Sequence, residues 1–94
     1  MQMHLIKDHI LRKVNKETVL VPYSGRETDF DGMIVLNETG ELICKLLEKE
    51  TSEEELVLAL ANEYGQDKNA VEQDVRTFLN QLSECHLLVG WEEA

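Results

Sequence analysis

The sequence predicts an α+β, winged-helix-like domain in which a three-stranded antiparallel sheet is followed by three helices, in the order βββααα. Three observations carry this. Apolar residues up to Leu36 fall in short β-branched runs, and from Asn37 onward they recur at helical spacing. The 94 residues suffice for one modest core and no second one. A single domain over residues 1–94, with its core at about 9–89, is therefore expected, and with aromatics at only 5% that core must be built of Leu, Val and Ile.

The first strand is read from Ile10, Arg12 and Val14 alternating with Leu11 and Lys13. Asn15 to Glu17 makes a short hairpin turn, and Thr18 to Tyr23 is the second strand. Pro22 has no N–H to donate, so it belongs at a strand end or on an edge. Ser24 to Gly32 is polar and glycine-punctuated, a loop long enough to act as a hinge for strand swapping between copies. Met33 to Leu36 is the third strand. Alternation allows only one set of its side chains into the core, either Met33 and Val35 or Ile34 and Leu36.

Asn37 caps a helix running to about Lys49, with Leu42, Ile43, Leu46 and Leu47 as its apolar stripe. Thr51 with Glu54, and Ser52 with Glu55, form two overlapping capping boxes for a second helix, and three successive glutamates suit the positive end of its dipole. Leu56, Leu60 and Tyr64 continue that helix to a C-cap at Gly65. Asp67 caps a third helix that carries Val71, Val75, Phe78, Leu79 and Leu82 on one face and ends near His86. Leu88 and Val89 either form a short strand or close the core. Val89, Trp91 and Tyr23 are open to two readings, a cap on the core or an exposed partner-binding patch.

Charge narrows the function. The formal net charge is −10, and residues 50–94 hold eleven acidic side chains against two basic ones. Such a surface repels a phosphate backbone, so no nucleic-acid partner is expected. The last helix offers Gln73, Arg76, Asn80 and Gln81 for base reading, but Glu72, Asp74 and Glu84 outweigh one arginine. No apolar run reaches the roughly 20 residues that span a bilayer, and the N-terminus lacks a signal-peptide core, so no membrane and a cytoplasmic location are expected.

Chemistry-bearing motifs are missing. No nucleophile elbow, P-loop or zinc-protease helix is present, and no enzymatic activity is expected. Cys44 and Cys85 lie within apolar helical patterns, away from any ligand spacing with His4, His9 or His86, and read as reduced buried thiols. Asp29-Phe30-Asp31-Gly32 resembles the start of a calcium loop, but its twelfth position is Gly40 where a bidentate Glu is needed. No metal and no cofactor are expected.

The stretch Ile34-Val35-Leu36-Asn37-Glu38-Thr39-Gly40-Glu41-Leu42-Ile43-Cys44-Lys45-Leu46-Leu47 resembles the signature of the PqqD-like family of RiPP recognition elements: an apolar strand, Leu-Asn-x-Thr-Gly, then a helix with Ile and Leu-Leu. The Leu20-Val21-Pro22 strand, the Thr51 to Leu56 cap, the Leu60-Ala61-x-x-Tyr64 ending and the Val71 to Leu82 pattern agree in order and spacing. The resemblance covers about residues 9–89. It implies a peptide chaperone of natural-product biosynthesis that binds the leader region of a precursor peptide by β-augmentation. The leader adds to the third strand in a groove against the third helix, and a modifying enzyme such as a radical-SAM maturase or a leader peptidase acts on it. The matching positions are Asp31, Gly32, Met33, Ile34 and Val35 on the strand, and Val71, Asp74, Val75 and Phe78 on the helix. Val75 and Phe78 also have a core reading. Since no catalytic domain follows Ala94, a free-standing carrier, monomeric or a homodimer, is expected. The alternatives are an acidic winged-helix transcriptional regulator and a protein-only adaptor.

Overall fold

The computed structural model describes residues 2–6, 9–22 and 34–91. The elements are β1 (His4–Leu5), β2 (His9–Val14), β3 (Glu17–Pro22), β4 (Ile34–Leu36), α1 (Glu38–Leu46), α2 (Glu53–Tyr64), α3 (Lys68–Glu84) and β5 (Leu88–Val89). The fold is α+β, with the expected antiparallel meander in the order β2-β3-β4 followed by three helices.

Asn15 turns the β2–β3 hairpin at φ 59°, a left-handed value that asparagine tolerates better than most residues. Val14 pairs with Glu17, and the register continues to His9 opposite Pro22, where β3 ends. β4 joins the other side of β3 through Thr18–Leu36, Val19–Val35 and Leu20–Ile34. The expected strand start at Met33 and the Ser24 to Gly32 loop lie outside the described residues, as does Tyr23.

The helix ends follow local side-chain chemistry. Gly40 N–H donates to Asn37 Oδ1 at 2.8 Å, and Asn69 N–H to Asp67 Oδ1 at 3.0 Å. Of the two capping boxes only one forms: Ser52 Oγ accepts from Glu55 N–H and donates to the Glu55 carboxylate. Thr51 is drawn instead into a backbone bridge with Met3, each donating an N–H to the other's carbonyl. α1 ends at Leu46, short of Lys49. α3 ends in a Schellman turn, with Leu87 N–H to Leu82 O at 2.9 Å and His86 N–H to Ser83 O at 3.0 Å. His86 takes the left-handed position at φ 61°, so no glycine marks this ending in the sequence.

A second, two-stranded sheet joins the ends of the chain: β1 runs antiparallel to β5, His4 opposite Val89 and Leu5 opposite Leu88. The optional final strand thus exists, and its partner is an N-terminal strand that the charged sequence around it conceals. Gly90 makes the approach possible. It sits at φ 93°, and a Cβ there would lie 2.4 Å from the Gln2 carbonyl oxygen. Met3 and Leu5 drop into the core at 1% and 3% exposure, beside Leu20, Ile43, Leu47, Leu56, Leu60, Leu79, Leu82 and Leu87. Trp91 packs on this core and donates its indole N–H to Asn80 Oδ1 at 2.8 Å, while Val89 stays exposed.

Glu41 ties the sheet to α1, with Lys45 Nζ at 3.2 Å on the same helix and Lys13 Nζ at 3.8 Å on β2. The Lys45 hydrogen bond, with smaller help from Lys13 and Thr18, holds the Glu41 carboxyl below its ordinary value of 4.5, against a partial opposing effect of burial. A depressed carboxylate stabilises the fold above its unfolded value and loses that contribution as pH falls through the folded one. Chemical denaturation of wild type and Glu41→Gln across pH is expected to show a constant gap above about pH 5 that closes as the solution is acidified. Leu5→Ala is expected to cost about 2–4 kcal/mol in urea unfolding, as for a core leucine; a loss below about 0.5 kcal/mol would mean that β1 is not docked.

Candidate functional site

β4 is paired to β3 on one side, and among the described residues no strand lies on its other side. Such an edge presents main-chain N–H and C=O groups to any extended chain that approaches. α3 faces it across a groove of about 480 Å³ lined by Glu17, Ile34, Val35, Leu36, Asn37, Phe78 and Gln81. A second cleft of about 340 Å³ shares Asn37, Phe78 and Gln81, and continues along Thr39, Gly40, Ile43, Asp74 and Thr77. The two clefts adjoin at Asn37, Phe78 and Gln81 and together form a trough. Asp74, Phe78 and Gln81 follow at i, i+4 and i+7, so they share one stripe of α3.

The pleat decides which β4 side chains do what. Ile34 is half-buried and Leu36 is 6% exposed, both packed on the core, whereas Val35 is 58% exposed. Of the two arrangements the alternation allows, Ile34 with Leu36 is the inward one. Val71 and Val75, at 4% and 0% exposure, belong to the neighbouring stripe of α3 with Leu79 and Leu82. Those valines line neither cleft; they seat α3 on the core and so set the distance between its Phe78 stripe and β4. Ile34, Val35, Asp74 and Phe78 do meet at the trough. Asp31, Gly32 and Met33 lie outside the described residues.

Glu17, Leu36, Asn37, Gly40, Thr77 and Gln81 also line the trough and were not among the expected residues. Gln81 was legible in principle, three residues beyond Phe78 on a helix. Glu17 was not, because its place depends on the β3–β4 register that sets Thr18 beside Leu36.

Gly40 lets the parts converge. A Cβ at this position would lie 3.3 Å from Asn37 Oδ1, 3.3 Å from Phe78 Cε1 and 3.4 Å from Leu36 Cδ2. The strand end, the helix cap and the aromatic wall therefore meet at the one residue with no side chain to separate them.

Reactive chemistry is thin. Burial, with a smaller contribution from Glu48, pushes the Cys44 thiol up to about 12, so it stays protonated and inert at neutral pH. Cys44 and Cys85 are both free thiols, Cys85 only partly buried. Among the described residues no three His, Cys, Asp or Glu side chains converge as metal ligands, and no helix is long and apolar enough to cross a membrane.

Fold and site together define an α+β domain with a strand edge, unpaired among the described residues, set against a helix. The family model for coenzyme PQQ synthesis protein D (PqqD) matches residues 17–88, and the chain belongs to that family. Among solved structures, TbiB1 in complex with the TbiA(beta) leader peptide is 29% identical, with a TM-score of 0.77 over 95% of this chain and 98% of that one. A lasso peptide synthetase B1 complexed with its leader peptide shares the fold at 22% identity, with a TM-score of 0.73 over 93% of this chain and 96% of that one. No curated protein matches the chain.

Gly40→Val is expected to crowd Phe78 and the Asn37 cap and to cost about 1–3 kcal/mol in denaturant unfolding. Gly40→Ala should stay within about 1 kcal/mol of wild type, since the gain in helix propensity offsets milder crowding. Equal stability of Gly40→Val and Gly40→Ala would contradict the packing described.

Proposed function

We propose that this chain captures the leader region of a ribosomally made precursor peptide as an added strand on β4 and presents it to a modifying or processing enzyme, performing no chemistry itself. The observation that carries this reading is the β4 edge, which no described strand pairs, facing the Phe78 stripe of α3 across a groove of about 480 Å³. An extended peptide there gains main-chain hydrogen bonds from the edge, while alternate side chains enter the trough and supply selectivity. Asp31, Gly32, Met33, Ile34, Val35, Asp74 and Phe78 are proposed to contact the leader. Val71 and Val75 act from beneath, by holding α3 in place.

Family membership and the 29% identity to TbiB1 over nearly the full length support the reading, because that relative was solved with a leader peptide bound. The enzyme served is of the class that edits leader-bearing precursors, a radical-SAM maturase or a leader peptidase. A DNA-reading role for α3 has less support: Arg76 is engaged by Glu53 of α2, and the neighbouring exposed positions include Glu72 and Asp74.

Titration of the labelled protein with a leader peptide encoded beside its gene is expected to move the backbone amides of Ile34–Leu36 and of Asp74–Gln81. Phe78→Ala should weaken that binding at least tenfold, about 1.4 kcal/mol or more, by removing the aromatic wall. Absence of binding by wild type at tens of micromolar would overturn the proposal, and shifts confined to α2 would move the site elsewhere.

A further inference from the structure

The trough carries a charge pattern that its apolar floor does not require. Glu17 and Asp74 are its only charged lining residues among those described, and both are acidic. Each is exposed, and neither forms an ion pair among the described residues, unlike Glu41 and Glu53, which are matched with Lys13, Lys45 and Arg76. The rest of the polar lining is neutral. An extended peptide entering here meets an aliphatic and aromatic floor flanked by uncompensated carboxylates. We infer that the trough selects leader segments in which a large apolar side chain, seated against Phe78, Ile34 and Leu36, is flanked by lysine or arginine reaching Asp74 and Glu17.

Spacing sharpens the inference. Asp74 and Phe78 are one helical turn apart, about 6 Å along α3. An extended chain covers about that distance in two residues, whose side chains point the same way. For a peptide running along α3, a cation two residues from the apolar anchor stands level with Asp74. Exposed pairs of this kind are weak singly and act through selectivity and encounter rate, so the effect belongs to low salt. The inference rests on leader capture in this trough and adds the chemical class of leader that is captured.

The experiment uses the full chain and two fluorescein-labelled synthetic peptides: the leader of the precursor encoded beside this gene, and the same peptide with every Lys and Arg replaced by Gln. Anisotropy titrations at about 20 mM and 1 M salt compare wild type with Asp74→Asn, Glu17→Gln and, as a control for bulk charge, Glu63→Gln on the exposed face of α2. Asp74→Asn and Glu17→Gln are each expected to weaken the native peptide about two- to fivefold at low salt, with most of the loss gone at high salt and little change for Glu63→Gln. The Gln-substituted peptide should bind wild type more weakly and be indifferent to Asp74→Asn. Equal affinity of both peptides for wild type, equal losses from all three variants, or a native leader without Lys or Arg that binds tightly would overturn the inference while leaving leader capture standing. Failure of both peptides to bind at either salt would remove leader capture itself, and this inference with it.

Discussion

Between Leu36 and Glu38 the chain passes from strand to helix with a single residue, Asn37, in between, and the site depends on how that residue is held. Its side chain accepts the Gly40 N–H, which fixes the first turn of α1 directly against the end of β4. At this junction the Leu36 side chain, the Asn37 cap and the Phe78 ring all crowd the place where a Gly40 Cβ would stand, at 3.3–3.4 Å. The Leu-Asn-x-Thr-Gly pattern is in this sense a packing instruction: an inward leucine, a cap, and a glycine that leaves space for an aromatic ring from a distant helix.

The far wall is set by different forces. α3 is positioned by Val71, Val75, Leu79 and Leu82, which are buried in the same cluster as Leu56 and Leu60 of α2. Its C-terminal end is fixed by the Schellman turn into Leu87 and by the pairing of β5 with β1. Met3 and Leu5 complete that cluster, so the first residues of the chain help to hold a wall of a site they never touch. Core packing of this kind is costly to disturb and transmits displacement, so it fixes the α3 wall of the trough.

Much of this was legible in the sequence because the signals were local. Asn37, Ser52, Gly65 and Asp67 each mark a helix end by their own side-chain or backbone chemistry, and all four act as read. The elements without a local signal depend on long-range pairing. β1 is only two residues long, set among charges, and is a strand only because β5 lies beside it. Thr51 looked like a cap and became a bridge, since Met3 competes for its backbone. At the site, Phe78 and Asp74 followed from helical spacing. The assignment of Val71 and Val75 to the core rather than the trough required knowing how α3 is rotated, and the place of Glu17 required the β3–β4 register.

On the proposed reading, the β4 edge, which no described strand pairs, is the surface that receives the leader. Amide hydrogen exchange at Ile34, Val35 and Leu36, measured with and without saturating leader peptide, tests it most directly, because a hydrogen-bonded partner slows the edge-facing amides selectively, whereas general stabilisation slows β2 and β3 as well. Strand addition predicts at least a tenfold slowing at those edge-facing amides, while the amides within β2 and β3 change little. Binding that leaves β4 exchange unaltered would contradict strand addition and place the leader on side chains alone.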